Sequence, residues 1–138
     1  MTDEASDPTD PADPDKTIQF VCQHGAFRCR IAAAYFDALA PDGWSATTGG
    51  VTPQQEISER LLPTLEGTEA EAHVDATAPR AAREGVATRT IVIDAELPMA
   101  DEAWRTSDGQ ALTDEELREQ IRKGVEKLVR DLPRDPAV

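Results

Sequence analysis

Two cysteines, two histidines, three lysines and six aromatic side chains are all this chain carries of those types, and each shortage closes off a class of protein. Two cysteines cannot build an extracellular disulfide scaffold. Cys22, His24, Cys29 and His73 do not fall at structural zinc spacings, so a metal site is not expected. No apolar run approaches the length that crosses a bilayer, and no secretory signal precedes the first strand, so a cytoplasmic location is expected. Basic residues are scarce too, 14 against 27 acidic ones, for a formal net charge of −13. A chain this acidic repels nucleic acid and anionic membranes, and neither is expected as a partner. The excess is spread along the chain beside many small residues, which fits the solvated surface of a halophilic protein better than a binding tail. An anionic substrate must then be drawn in by a local positive focus from Arg28, Arg30 and backbone amides, or high salt must screen the repulsion.

The 138 residues suffice for one domain, expected as a monomer. Residues 1–16 repeat Asp-Pro at Asp7, Asp10 and Asp13 with nothing apolar to bury, and are expected to form a disordered acidic tail ahead of a domain over 17–138. Thr17–Val21 is a run of strand formers, and Arg30–Leu39 is helical, ended by Pro41 and Gly43. Gly43–Gly50 fits a second strand ending in a glycine turn. Pro53–Leu62 reads as a helix with Pro in its first turn and Ile57, Leu61 and Leu62 on one face. Arg89–Ile93 is the clearest interior strand. Glu71–Ala76 fits either a weak strand, with a short helix over Arg80–Glu84, or a surface loop; we expect the strand, and so a sheet of four. Thr113 and Glu116 form a capping box ahead of a helix whose apolar stripe runs through Leu117, Ile121, Val125, Leu128 and Leu132. Alternation of this kind predicts a small doubly wound parallel α/β domain, flavodoxin-like, with helices on both faces and ligands beyond the C-terminal ends of the strands.

Cys22 lies at such a strand end, and Cys22-Gln23-His24-Gly25-Ala26-Phe27-Arg28 sets an arginine six positions after it, with a glycine in the loop and a helix to follow. Strand, loop and helix in that order let backbone N–H groups ring an anion while a thiolate sits beneath it and a guanidinium grips it. The spacing alone is weak; its setting gives it weight. From Val21 to Phe36 the sequence resembles the phosphate loop and first helix of the low-molecular-weight protein tyrosine phosphatases and, more closely still, the arsenate reductases of the same fold. Their loop commonly reads Cys, any residue, His, Asn, Ala, Gly, Arg, Ser. His24, Ala26 and Arg28 match it. Gly25 stands where the family has Asn, and both tolerate positive φ. Phe27 replaces a small residue and is expected to wall the pocket. Cys29 replaces the Ser or Thr that bonds the thiolate, and a thiol is a weaker donor, so activation of Cys22 is expected to be less complete.

The resemblance implies a catalytic Cys22, a phosphate cradle of Gln23, His24, Gly25, Ala26, Phe27 and Arg28, and an acid ahead of the last helix. Asp108 matches that acid by position, with Gly109 where the family has Pro; an ordinary Asp-Gly turn explains it equally, and Asp101 is the runner-up. His24 either tunes the thiolate or simply faces solvent. Gly49 and Gly50 match the family's turn after its second strand, and line the far side of the pocket or merely turn the chain. Cys29 is either a small buried residue or a redox partner that traps oxidised Cys22 as a disulfide. Trp44 and Trp104, with no basic patch around them, read as packing or pocket-rim residues. Three activities follow. The first is hydrolysis of phosphomonoesters, above all phosphotyrosine in proteins, through a phosphocysteine and with no cofactor. The second is arsenate reduction with Cys29 or an external thiol reductant, since the family's usual resolving pair is absent. The third is a phosphate-binding or redox-sensing module without turnover.

Overall fold

The structure is a computed structural model that describes residues 16–106 and 112–132. Four strands, β1 (Thr17–Cys22), β2 (Ser45–Gly50), β3 (Arg89–Ile93) and β4 (Glu102–Trp104), form one sheet in the order β2-β1-β3-β4. Every pairing is parallel. The helices are α1 (Arg28–Leu39), the short α2 (Leu61–Leu65) and α3 (Asp114–Asp131). No described helix is long and apolar enough to cross a membrane. The tail expected over residues 1–16 lies, but for Lys16, outside the described residues.

Side chains alternate across β1, and the two sets meet different surroundings. Ile18, Phe20 and Cys22 join Ile91 and Ile93 in a core with Ile31, Phe36, Leu61, Leu65 and the α3 stripe of Leu117, Ile121, Val125 and Leu128. Full burial of each large apolar side chain contributes about 1.5–3 kcal/mol, so this layer supplies most of the driving force. The Phe20 ring lies 5.8 Å from Trp104 and 6.0 Å from Phe36. Helix α3 starts at the expected capping box, with Glu116 N–H donating to the Thr113 hydroxyl and Thr113 N–H donating to the Glu116 carboxylate.

The opposite face differs from expectation. Val21 and Val92 pack there against Val51, Ala82, Leu97 and Ala100 from irregular segments, and the described helices lie on the first face. The link from β3 to β4 is residues 94–101, too short for a crossover helix. Across 80–83 the cover is pinned by a buried glutamine: the Gln19 amide donates to Arg83 O at 2.7 Å and accepts from Arg83 N at 3.0 Å. Gly49 makes the room, because a Cβ there would lie 2.7 Å from the Ala82 Cα.

Two further elements are corrected. Four strands are present, but the fourth is Glu102–Trp104; Glu71–His73 is a single 3₁₀ turn, and no helix forms over 80–84. The helix expected from Pro53 is replaced by an irregular stretch, and only Leu61–Leu65 is helical. Its backbone donors are spent on the loop after β1: Thr52, Gln54 and Ser58 N–H groups donate to the Gln23, His24 and Ala26 carbonyls at 2.7, 3.1 and 3.0 Å. Tertiary bonding overrides the local helical preference there.

Candidate active site

The loop from Cys22 to Arg28 turns its carbonyls outward. Cys22 O accepts from Val51 N at 3.1 Å, and those of Gln23, His24 and Ala26 are taken by the 52–58 stretch. Gly25 O accepts from Arg30 Nε at 2.9 Å, and Phe27 O from Ile31 N at 3.0 Å within the start of α1. Peptide units fixed this way present their N–H groups to the loop's interior, and α1 adds to them, since its first turn has neither an acidic residue nor a side-chain cap. Gly25 supports the turn at φ +66°. A Cβ on Gly50 would lie 2.8 Å from Gly25 N, so Gly50 backs the loop from behind.

Over Cys22 this leaves a cavity of about 140 Å³, walled by Gln23, His24, Ala26, Phe27, Arg28, Gln54, Ser58 and Arg60. That is well below the roughly 300–1,000 Å³ of sites that swallow a drug-sized ligand, and suits a small anion. Roomier grooves beside β4, of about 560 and 640 Å³, contain no nucleophilic thiol.

Cys22 is 4 % exposed, and its ionisation is pulled down to about 5. The Cys29 thiol is the largest cause; burial opposes it, and the N–H groups of Cys29, Phe27 and Gly25 add to it. Cys29 N lies 3.4 Å from the Cys22 sulfur. Cys29, which stands where the family has Ser or Thr, is thus the largest single influence holding the Cys22 thiol down, where a weaker activation was expected. Its own thiol is fully buried and pushed well up, by burial first, then by its hydrogen bond to Cys22 and the charge there.

Arg28 leans on a residue that the sequence reading passed over. Asp94 follows β3 with φ +53°, and its Oδ2 lies 3.0 Å from Arg28 Nε, at ion-pair distance but without an aligned hydrogen bond. The same carboxylate accepts from Thr106 N at 2.9 Å and from the Thr106 hydroxyl. Arg28 and the stem of the segment leading to Asp108 therefore share one anchor. Asp108 itself lies outside the described residues. Asp101, the other acid considered, is excluded by position: its Oδ2 accepts from Thr90 N at 2.8 Å. Thr90 is in register with Gln19, three residues before Cys22 and about 10 Å away along the sheet.

No family model matches the sequence, and no curated protein sequence matches it. Among solved structures it is similar to the thioredoxin-dependent arsenate reductase of Corynebacterium glutamicum, at 21% identity and a TM-score of 0.65, over 86% of this chain and 62% of that one. It thus spans less than two thirds of that enzyme's length. The arsenate reductase of Archaeoglobus fulgidus aligns at 23% identity and a TM-score of 0.64, over 83% of this chain and 99% of its own. The low-molecular-weight protein tyrosine phosphatase of T. tengcongensis aligns at 19% and 0.64, over 86% of this chain and all of that one. The fold is that of the low-molecular-weight phosphatases and arsenate reductases.

Within this fold, Arg30 is corrected from an anion-attracting residue to a structural one. It is 2 % exposed and is spent on the Gly25 carbonyl and on Asp75, whose backbone oxygen it meets at 2.6 Å. Phe27 is a buried wall, as expected, and carries the Arg60 guanidinium 4.3 Å above its ring. His24 is exposed at the rim. Trp44 packs on Phe36, and Trp104 on Phe20. Asp94 was open to discovery from sequence, since it is the first polar residue after the strand Arg89–Ile93, on the side where ligands of such sheets sit. Arg60 carried no local signal.

One result follows from the ionisation of Cys22. Only the thiolate is alkylated, so iodoacetamide is expected to modify Cys22 with a rate that climbs through pH 5 and levels off by pH 7. Cys29 should stay unmodified in the folded protein. Mass spectrometry of alkylated peptides across pH checks this; a midpoint near pH 9 would mean the loop does not activate the thiol.

Proposed function

We propose that this chain is a cysteine-dependent phosphatase acting on phosphomonoesters, with protein phosphotyrosine as the expected substrate. The observation that carries the reading is Cys22, its ionisation pulled down to about 5 by the loop around it, at the floor of an anion-sized cavity. The thiolate attacks phosphorus as the bond to the leaving oxygen breaks, and Asp108 hands that oxygen a proton. The N–H groups from Gln23 to Arg28 and the Arg28 guanidinium hold the three non-bridging oxygens while charge shifts between them. Water then attacks the phosphocysteine, gives its proton to the Asp108 carboxylate, and releases phosphate and the thiolate.

Arsenate reduction is the second reading, favoured by a pocket that fits bare arsenate. In that reaction Cys22 displaces water from arsenate, and a second thiolate attacks the Cys22 sulfur. A disulfide forms, and two electrons pass to arsenic, which leaves as arsenite. Burial and the raised pKa of Cys29, which keep it a thiol, argue against it as that attacking thiolate, so an external thiol is the expected reductant.

Turnover of p-nitrophenyl phosphate, beside arsenate-dependent oxidation of a thiol reductant, at low and high salt, decides between them. Vanadate-sensitive release of p-nitrophenol is expected. Thiol oxidation driven by arsenate without p-nitrophenol release would reverse the order, and oxyanion binding without either turnover would leave a binding module.

A further inference from the structure

Arg60 reaches the cavity from the irregular stretch after β2. It lines the same small space as Cys22 and Arg28. Its guanidinium carbon lies over the Phe27 ring, 4.3 Å from the centroid, and the group forks onto the Asp114 carboxylate in the first turn of α3, with Nε 3.1 and 3.0 Å from the two oxygens. Asp114 is not among the residues that wall the cavity. The pair is also well exposed, 58 % for Arg60 and 37 % for Asp114, so water and salt screen it. A planar guanidinium already stacked on a ring is held in orientation, at small entropic cost, for a second fork onto an oxyanion.

We propose that Arg60 is a second anion-recognising residue of this cavity, exchanging Asp114 for an oxygen of a bound tetrahedral dianion, and that Asp114 restrains it when the pocket is empty. The proposal rests on the reading of the Cys22 cavity as an oxyanion site. In a space of about 140 Å³ an occupant meets both guanidinium-bearing walls, and two cations favour a phosphomonoester or inorganic phosphate over a singly charged diester. In a protein of net charge −13, the second cation also offsets long-range repulsion at the mouth.

The test is protection of Cys22 from iodoacetamide by inorganic phosphate, titrated in the wild-type chain and four variants. Arg60→Ala should weaken protection about ten- to a hundredfold, the range for losing one hydrogen bond to a charged group. Arg60→Met, which keeps a stem over Phe27, should do the same. Asp114→Asn should strengthen protection several-fold, because it frees Arg60 and removes a negative charge from its side. The double variant Arg60→Ala/Asp114→Asn should match Arg60→Ala alone, since Asp114 acts through Arg60. Opposite signs separate this from a purely structural link, which predicts weakening in Asp114→Asn as well as in the Arg60 variants; that result, or wild-type protection in both Arg60 variants, overturns the proposal. Absence of protection in the wild-type chain would instead overturn the oxyanion site itself.

Discussion

Cys22→Ser is expected to abolish phosphomonoester turnover while inorganic phosphate still binds. In the proposed reaction the nucleophile at neutral pH is a thiolate whose ionisation sits at about 5; a serine hydroxyl in the same cradle stays protonated. The cradle itself does not depend on sulfur. Its N–H groups are aimed by the bonds that Val51, Thr52, Gln54, Ser58, Arg30 and Ile31 make to the loop carbonyls, and none of these donors touches the Cys22 side chain. Calorimetric binding of phosphate to Cys22→Ser, beside its rate on p-nitrophenyl phosphate, checks both halves. Turnover at the wild-type rate would end the covalent mechanism, and loss of binding with loss of rate would mean that the thiolate shapes the loop.

The parts of this protein written in local order were legible in its sequence. The strand Arg89–Ile93, the cap at Thr113, the α3 stripe and the succession of strand, loop and helix around Cys22 all rest on residues close together in the chain. What escaped was set by contacts over long separations. Pro53–Leu62 carries a helical pattern, yet its N–H groups close the back of the Cys22–Arg28 loop, some thirty positions upstream. Glu102–Trp104 is three residues long and becomes a strand only because Ile91, Val92 and Ile93 lie beside it. Arg60 acquires a place at the cavity from Phe27 and Asp114, neither of which is its sequence neighbour. Arg30 shows the converse. Its position in the motif suggested attraction of anions, and only the fold shows the charge spent on Gly25 and Asp75.

Asp108→Asn is expected to slow hydrolysis about 10²–10⁴-fold for alkyl and unactivated aryl phosphates, the usual worth of a general acid, and far less for p-nitrophenyl phosphate. A good leaving group departs as the anion and needs little protonation; a poor one cannot leave without a proton. The slope of rate against leaving-group basicity should therefore steepen. That slope also distinguishes an acid from a residue that only positions one. Asp94 contacts Arg28 and holds Thr106 two residues ahead of Asp108, so Asp94→Asn should lower the rate on every substrate through the grip on phosphate, with a smaller change of slope. Asp101→Asn should leave the slope as it is, because that carboxylate is occupied with Thr90 N near the start of β3. A steepened slope in Asp94→Asn beside an unchanged one in Asp108→Asn would make Asp94 the acid. The proton would then come from the carboxylate 3.0 Å from Arg28 Nε, and the segment between Thr106 and α3 would carry no catalytic group.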